Sequence, residues 1–178
     1  MRKVVLGMNI TLDGYAAGPS GELDWMFPGI DEELNTSLVK ALSEIDTFLM
    51  GRITYEGMAS HWPNADDQIA KLMNAAEKVV FSTELLSVDW ERSRLATSNL
   101  VEEIARLKQQ PGQNIGIAGG PQFAQAVIEA RLIDEYRLTI HPVVLTDGKP
   151  LFNEPLRLKL TDAQQFNTGA VVHTYSQQ

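Results

Sequence analysis

Asn114-Ile115-Gly116-Ile117-Ala118-Gly119-Gly120-Pro121-Gln122-Phe123 is the stretch whose reading decides the fold. An apolar run of strand length, Asn114 to Ala118, stops at two glycines. It passes directly into Pro121 to Ala130, where Phe123, Ala124, Val127 and Ile128 recur at helical spacing. Pro121 suits a first helical position, because the amide hydrogen it lacks has no partner there anyway. A strand turning at once into a helix is the unit of an α/β protein. The same rhythm recurs upstream. Lys3 to Ile10, Thr47 to Met50 and Lys78 to Phe81 read as strands. Asp31 to Glu44, Ile53 to Ala59, Asp66 to Ala76 and Asn99 to Lys108 read as helices. Leu34, Leu38, Ala41, Leu42 and Ile45 form one apolar stripe, Asp31 to Glu33 suit the positive end of that helix, and Asn99 with Glu102 is spaced as a capping box. Beyond Ile133 the rhythm changes: Glu135 to Ile140, Leu156 to Thr161 and Ala170 to Tyr175 read as strands joined by turns, with no long helix between them. A mostly parallel sheet with antiparallel C-terminal strands and flanking helices is predicted.

Composition bounds the rest. The 178 residues predict one domain over 1–178, since a domain averages roughly 150. Hydrophobic residues at 44% and charged residues at 21% are usual for a soluble globular chain. With 15 Lys+Arg against 23 Asp+Glu the net charge is −8, which argues against nucleic acid as a partner. Zero cysteines exclude a disulfide framework, a thiolate metal site and a cysteine nucleophile, and fit the cytoplasm. No apolar run approaches the about 18 residues of a membrane span. The basic, then apolar start at Met1 breaks at Gly7 and Asn9, as a strand would and a signal peptide would not.

Ligands of open α/β sheets bind at the carboxyl ends of strands, and three such ends carry suitable chemistry. Gly119-Gly120-Pro121 would let a phosphate approach the free amides of a helix start, or would be a tight turn needing small residues. It lacks the GxGxxG spacing of an ordinary dinucleotide domain. Met50-Gly51-Arg52-Ile53-Thr54 sets an arginine and a threonine beside a second glycine turn. Arg52 could fork onto a phosphate, or be a surface ion-pair partner with Thr54 a helix cap. Ser82 and Thr83 follow a buried strand, and with Arg52 they would make a small anion pocket. His61, His141 and His173 have no metal-ligand spacing, and His141-Pro142 at a strand end reads as structural. Trp25, Trp62 and Trp90 fall in loop-like stretches, where an aromatic stacks on a ligand or covers the core.

Four stretches taken in order carry a family resemblance: Asn9 to Gly18, Leu49 to Glu56, Ala118 to Phe123, and Leu132 to Phe152. The chain resembles the dihydrofolate reductase superfamily, and most closely the C-terminal reductase domain of the bifunctional riboflavin biosynthesis deaminase-reductase. The resemblance implies a dihydrofolate reductase-like three-layer α/β sandwich that binds NADPH (NADP). By analogy Gly51, Arg52 and Thr54 contact the adenosine phosphate side, and Ser82 and Thr83 the 2′-phosphate. Gly119, Gly120, Pro121 and Gln122 cradle the pyrophosphate, with Phe123 close by. Leu12, Asp13, Gly14 and Ala17 border the nicotinamide and substrate, Trp25 walls the site, and Asp13 is the candidate catalytic acid. The implied activity is an NADPH-dependent reductase acting on a small, heterocyclic substrate, as in 5-amino-6-(5-phosphoribosylamino)uracil reduction, and the implied assembly is a homodimer. The deaminase's zinc-binding Cys and His motif is absent, so a stand-alone reductase is expected. Dihydrofolate reductases place a pterin-binding carboxylate on the helix before the Gly51 turn. That position falls near Asn35, with Asp31 to Glu33 a turn earlier, so dihydrofolate is not the expected substrate. A non-catalytic nucleotide-binding protein or a flavin-binding protein on the same fold remains the alternative.

Overall fold

Strands that are apolar on both faces need cover on both sides, and the computed structural model, which describes residues 1–178, supplies it. In chain order the strands are β1 (Val4–Thr11), β2 (Tyr15–Ala17), β3 (Ile45–Gly51), β4 (Glu77–Phe81) and β5 (Ser93–Leu95). After them come β6 (Asn114–Ile117), β7 (Glu135–His141), β8 (Lys149–Pro150), β9 (Leu158–Gln165) and β10 (Val171–Gln177). The helices are α1 (Glu32–Leu42), α2 (Arg52–His61), α3 (Gln68–Ala75), α4 (Leu100–Lys108) and α5 (Pro121–Glu129). Eight strands form one sheet in the order β5-β4-β3-β6-β1-β7-β10-β9. The pairings from β5 through to β7 are parallel, and β10 pairs antiparallel with both β7 and β9. This is the predicted mixed sheet.

Alternation along the strands divides the core into layers. Val4, Leu6, Leu49, Val79 and Ile115 face α4 and α5, meeting Ile104, Leu107, Ala124, Val127 and Ile128. Phe48, Met50 and Val80 face the opposite way, onto Tyr55 of α2 and Met73 of α3. Leu34 of α1 packs beside them on Phe166 and Ala170, at the turn between β9 and β10.

Charged residues enter these layers only with partners. Glu103 of α4 is fully buried and pairs with Arg94 and Arg106. Burial alone would push its carboxyl up, but the hydrogen bonds and charges of the two arginines prevail and hold it below the ordinary value. Lys78 is also fully buried. Its Nζ donates to the Met73 and Asn74 carbonyls at the end of α3 (3.1 and 3.3 Å) and lies 4.3 Å from the Trp90 ring centre. Burial brings its pKa down to about 8. Trp90 Nε1 donates to Asn74 Oδ1 (2.8 Å), and the Tyr55 hydroxyl accepts from the amides of Asp89 and Trp90 (2.9 and 3.0 Å). These bonds anchor the end of the link from β4 to β5, at Asp89 and Trp90.

Several boundaries differ from the sequence reading. The strand expected over Leu156 to Thr161 runs instead from Leu158 to Gln165. It is a sheet edge whose residues after Leu158 are all exposed, so no apolar alternation marks it. β5 and the small sheet of β2 with β8 were not expected; at two or three residues each they are too short to show a period. Trp25 and Trp62 lie in 3-10 turns, Asp24–Gly29 and Trp62–Asn64, while Trp90 is buried in the core.

Candidate active site

β3 and β6 are parallel neighbours, with Leu49 opposite Ile117. The chain leaves β3 into α2 on one face of the sheet and leaves β6 into α5 on the other. Their carboxyl ends therefore part around a crevice, the topological switch point at which open α/β sheets bind ligands. Both glycine turns singled out in the sequence meet there.

The helix starts at this crevice differ from the others. The side chains of Asp31, Asp67 and Asn99 cap α1, α3 and α4 by accepting from an amide of the first turn. α2 begins after Gly51 and α5 after Gly120, and neither has a side-chain cap. Their first-turn amides are thus left to a ligand or to solvent, at the positive end of each helix dipole. Thr54 ties the two turns together, its Oγ1 accepting from the Gly120 amide at 3.4 Å. Gly119 has φ +135°, and a Cβ there would lie 2.6 Å from Thr54 Oγ1, so glycine is required on both counts. Phe123 covers Gly51, whose Cβ would lie 3.7 Å from its ring, and stacks at 5.6 Å on Phe81. Pro121 is buried at the start of α5, and Gln122 is exposed beside it.

Arg52 opens α2 at the edge of the crevice. Its Nη1 pairs with Glu56 Oε2 at 3.0 Å and its Nε with Glu84 Oε2 at 3.4 Å. Ser82 Oγ accepts from the amides of Glu84 and Leu85 (3.0 and 2.9 Å), a local turn that leaves its O–H to donate. Thr83 is exposed next to it. The fold thus brings Arg52 to the Glu84 turn at the end of β4, where it is the ion-pair partner of two carboxylates.

The expected substrate end lies at the carboxyl ends of β1 and β7. Asp13 accepts from Thr11 Oγ1 (2.7 Å) and from the amides of Thr146 (2.8 Å) and Leu145 (3.3 Å). The Thr11 hydroxyl chiefly, with the two amides, holds its carboxyl below the ordinary value, so at neutral pH it is ionised. Asp13 fastens the turn after β1 to the loop after β7, helped by the Leu12 amide donating to the Val143 carbonyl (2.8 Å). Leu12 itself projects into solvent at 68% exposure, and Gly14 takes φ +87° in the turn. Ala17 is buried in the small sheet of β2 and β8. Trp25 is half-buried, its Nε1 donating to the Glu22 carbonyl (3.1 Å) and its ring edge-on to His141 at 5.6 Å.

His141, at the strand end before Pro142, is fully buried where β1 and β7 end. Its Nε2 bonds Asn9 Oδ1 at 2.8 Å, while Nδ1 faces Gly29 with no hydrogen-bond partner in the protein. Burial lowers its pKa, which keeps the ring neutral. Glu84 drew no notice because nothing in a Ser-Thr-Glu turn signals a distant arginine.

A family model described as the RibD C-terminal domain matches residues 2–172. Among curated proteins, the uncharacterized proteins YyaP and YwjB of Bacillus subtilis are 34% and 31% identical. These alignments cover 98% and 97% of this chain, and 94% and 97% of theirs. A putative riboflavin biosynthesis protein from Shewanella sp. PV-4 superposes with a TM-score of 0.81 at 24% identity, covering 99% of each chain. A pyrimidine reductase-like protein from Corynebacterium diphtheriae gives 0.66 at 16% identity, covering 99% of this chain and 92% of that one. A Thermotoga maritima diaminohydroxyphosphoribosylaminopyrimidine deaminase/5-amino-6-(5-phosphoribosylamino)uracil reductase gives 0.71 at 15% identity, covering 99% of this chain and 57% of that longer one.

Proposed function

The chain belongs to the RibD C-terminal domain family, and on that premise we propose that it is an NADPH-dependent reductase of a small, heterocyclic substrate. The substrate class we infer is that of the uracil reductase named for the Thermotoga relative, a substituted pyrimidine. One observation carries the reading: two uncapped helix starts, α2 and α5, converge on a single switch-point crevice. Two such starts side by side suit a pyrophosphate, since both direct backbone amides and the positive ends of helix dipoles at the same place.

NADPH, when bound, supplies the hydride. The chain's own residues bind and orient it. The Gly51 and Gly119-Gly120 turns let the ligand approach the backbone and the helix starts closely, with Thr54, which takes the Gly120 amide, fixing their spacing. Pro121, Gln122 and Phe123 continue the cradle along α5. Arg52, with Ser82 and Thr83, meets the phosphate on the adenosine side. Leu12, Gly14 and Trp25 border the substrate end, and Ala17 supports them from within the small sheet. Asp13, held ionised, acts in this reading by fixing the loop over the substrate and by orienting a proton donor, rather than by giving up a proton that it does not carry at neutral pH. We take the working form to be a homodimer and its compartment the cytoplasm, in keeping with a chain of zero cysteines.

Thermal melting with NADPH, NADH or FMN tests this directly. Ligand at 100 times its dissociation constant adds about 2.7 kcal/mol, which raises the midpoint of a domain this size by roughly 5–11 °C. A rise with a nicotinamide nucleotide is the expected outcome. A rise with FMN alone would replace the reading by a flavin protein, and no rise with any of the three would reduce it to a likeness of fold.

A further inference from the structure

The adenosine end of the crevice carries more negative charge than a phosphate-reading pocket should. Arg52 is shared between Glu56, four residues along its own helix, and Glu84, which comes from the β4 end where Ser82 and Thr83 lie. These three charges sum to −1. The backbone N–H groups of Glu84 and Leu85 donate to Ser82 Oγ, folding this segment into a turn from which Glu84 meets Arg52. An arginine here favours a ribose 2′-phosphate, whereas a carboxylate accepts from a free 2′-hydroxyl and repels the phosphate. Both kinds of group occupy the one position. Glu84 itself is mostly exposed, and its place beside Arg52 is set by the Ser82 turn that precedes it.

We propose that Glu84 is a cofactor-selecting residue that opposes the 2′-phosphate, so that this crevice takes NADH alongside NADPH. The inference rests on the crevice being a nicotinamide-dinucleotide site. Arg52 is the attraction for the phosphate and Glu84 the counterweight. A 2′-phosphate must draw Arg52 away from Glu84, while a 2′-hydroxyl can bond to the carboxylate and leave that pair in place. Glu56 is tied to Arg52 along one helix face and travels with it, so it lowers the arginine's pull without reading the ribose.

The experiment titrates NADPH and NADH separately into the full chain at fixed ionic strength, following nicotinamide fluorescence, which needs no substrate. The proteins are wild type, Glu84→Gln and Glu129→Gln; the last removes the same charge at the far end of α5. Wild type should bind the two nucleotides within about tenfold of each other, and Glu84→Gln should tighten NADPH roughly three- to tenfold while leaving NADH unchanged or weaker. Glu129→Gln should move neither. If Glu84→Gln leaves the NADPH-to-NADH ratio where it was, or Glu129→Gln shifts it as much, the role of Glu84 is overturned and the dinucleotide site stands. If wild type binds neither nucleotide, both fall together.

Discussion

Arg52 and His141 occupy opposite ends of the crevice, and each makes a prediction that belongs to one side chain. Arg52→Ala removes the only cation named for the adenosine end, and NADPH should lose roughly ten- to a hundredfold in affinity. NADH has no 2′-phosphate and should lose much less. Equal losses in a binding titration would remove Arg52 from the phosphate and leave it as the partner of Glu56 and Glu84. His141 concerns pH. Burial lowers its pKa below the ordinary 6.5, so between those two values the unfolded chain binds a proton that the native chain does not. Native stability is therefore complete above about pH 6.5 and falls as the solution is acidified through that window, by at most about 1.4 kcal/mol per pH unit. Denaturant melts between pH 7 and pH 5 should show this fall in wild type and its absence in His141→Gln. The histidine was visible in the sequence as a residue before Pro142 at a strand end. Its burial against Asn9 and Gly29 was not, because both partners lie over a hundred residues away.

The elements nearest the crevice were the easiest to read, for a physical reason. β3, β4 and β6 are buried on both faces, so each is a short continuous apolar run, and each ends at residues that must be small or must turn. The cap of α4 was legible too, and the Asn99 side chain accepts from the Glu102 amide as its spacing predicted, whereas Asp31 and Asp67, expected inside their helices, prove to be the caps of α1 and α3. What spacing could not say is that the two uncapped starts are neighbours, since sixty-odd residues part them and only the strand order joins them. Gly119 holds this junction. Gly119→Ala forces a side chain into φ +135° and onto Thr54 Oγ1. We expect it to cost about 1–3 kcal/mol of stability, seen in urea melts. It should also weaken NADPH and NADH by the same factor, about tenfold or more, because the pyrophosphate is common to both. A loss confined to stability, with both affinities intact, would show that the glycine turn is needed for folding alone. Unequal losses would move the pyrophosphate away from this turn.

At the scale of the molecule, the sheet is finished on one side and open on the other. β5 at one edge is three residues long and half-buried. β9 at the other is eight residues long, with seven of them exposed and Leu160 half in solvent on the face it shares with Tyr175. A long edge strand with free amides and carbonyls is a template for another chain unless something covers it. The sequence hid this edge for the same reason that it is exposed: without burial there is no alternation to read. The proposed homodimer would cover it by a twofold pairing of β9 with its copy, which extends the sheet across both chains and sets Leu160 against the partner strand. At 19.7 kDa per chain, sedimentation equilibrium separates one chain from two without ambiguity. The expected result is a dimer in wild type and a monomer in Leu160→Asp, with the sheet signal in circular dichroism retained in both. Substitution at Val101, exposed on α4 away from this edge, should leave the dimer intact. A wild-type monomer at micromolar concentration would refute the homodimer. A dimer that survives Leu160→Asp would keep the assembly and move its interface off β9, for which exposed Leu12 and Val144, on the two loops that meet at the substrate end, are the next residues to substitute. The two outcomes differ for function as well as for shape: an interface on β9 leaves each crevice complete within one chain, whereas one on Leu12 and Val144 would make the partner a wall of the active site.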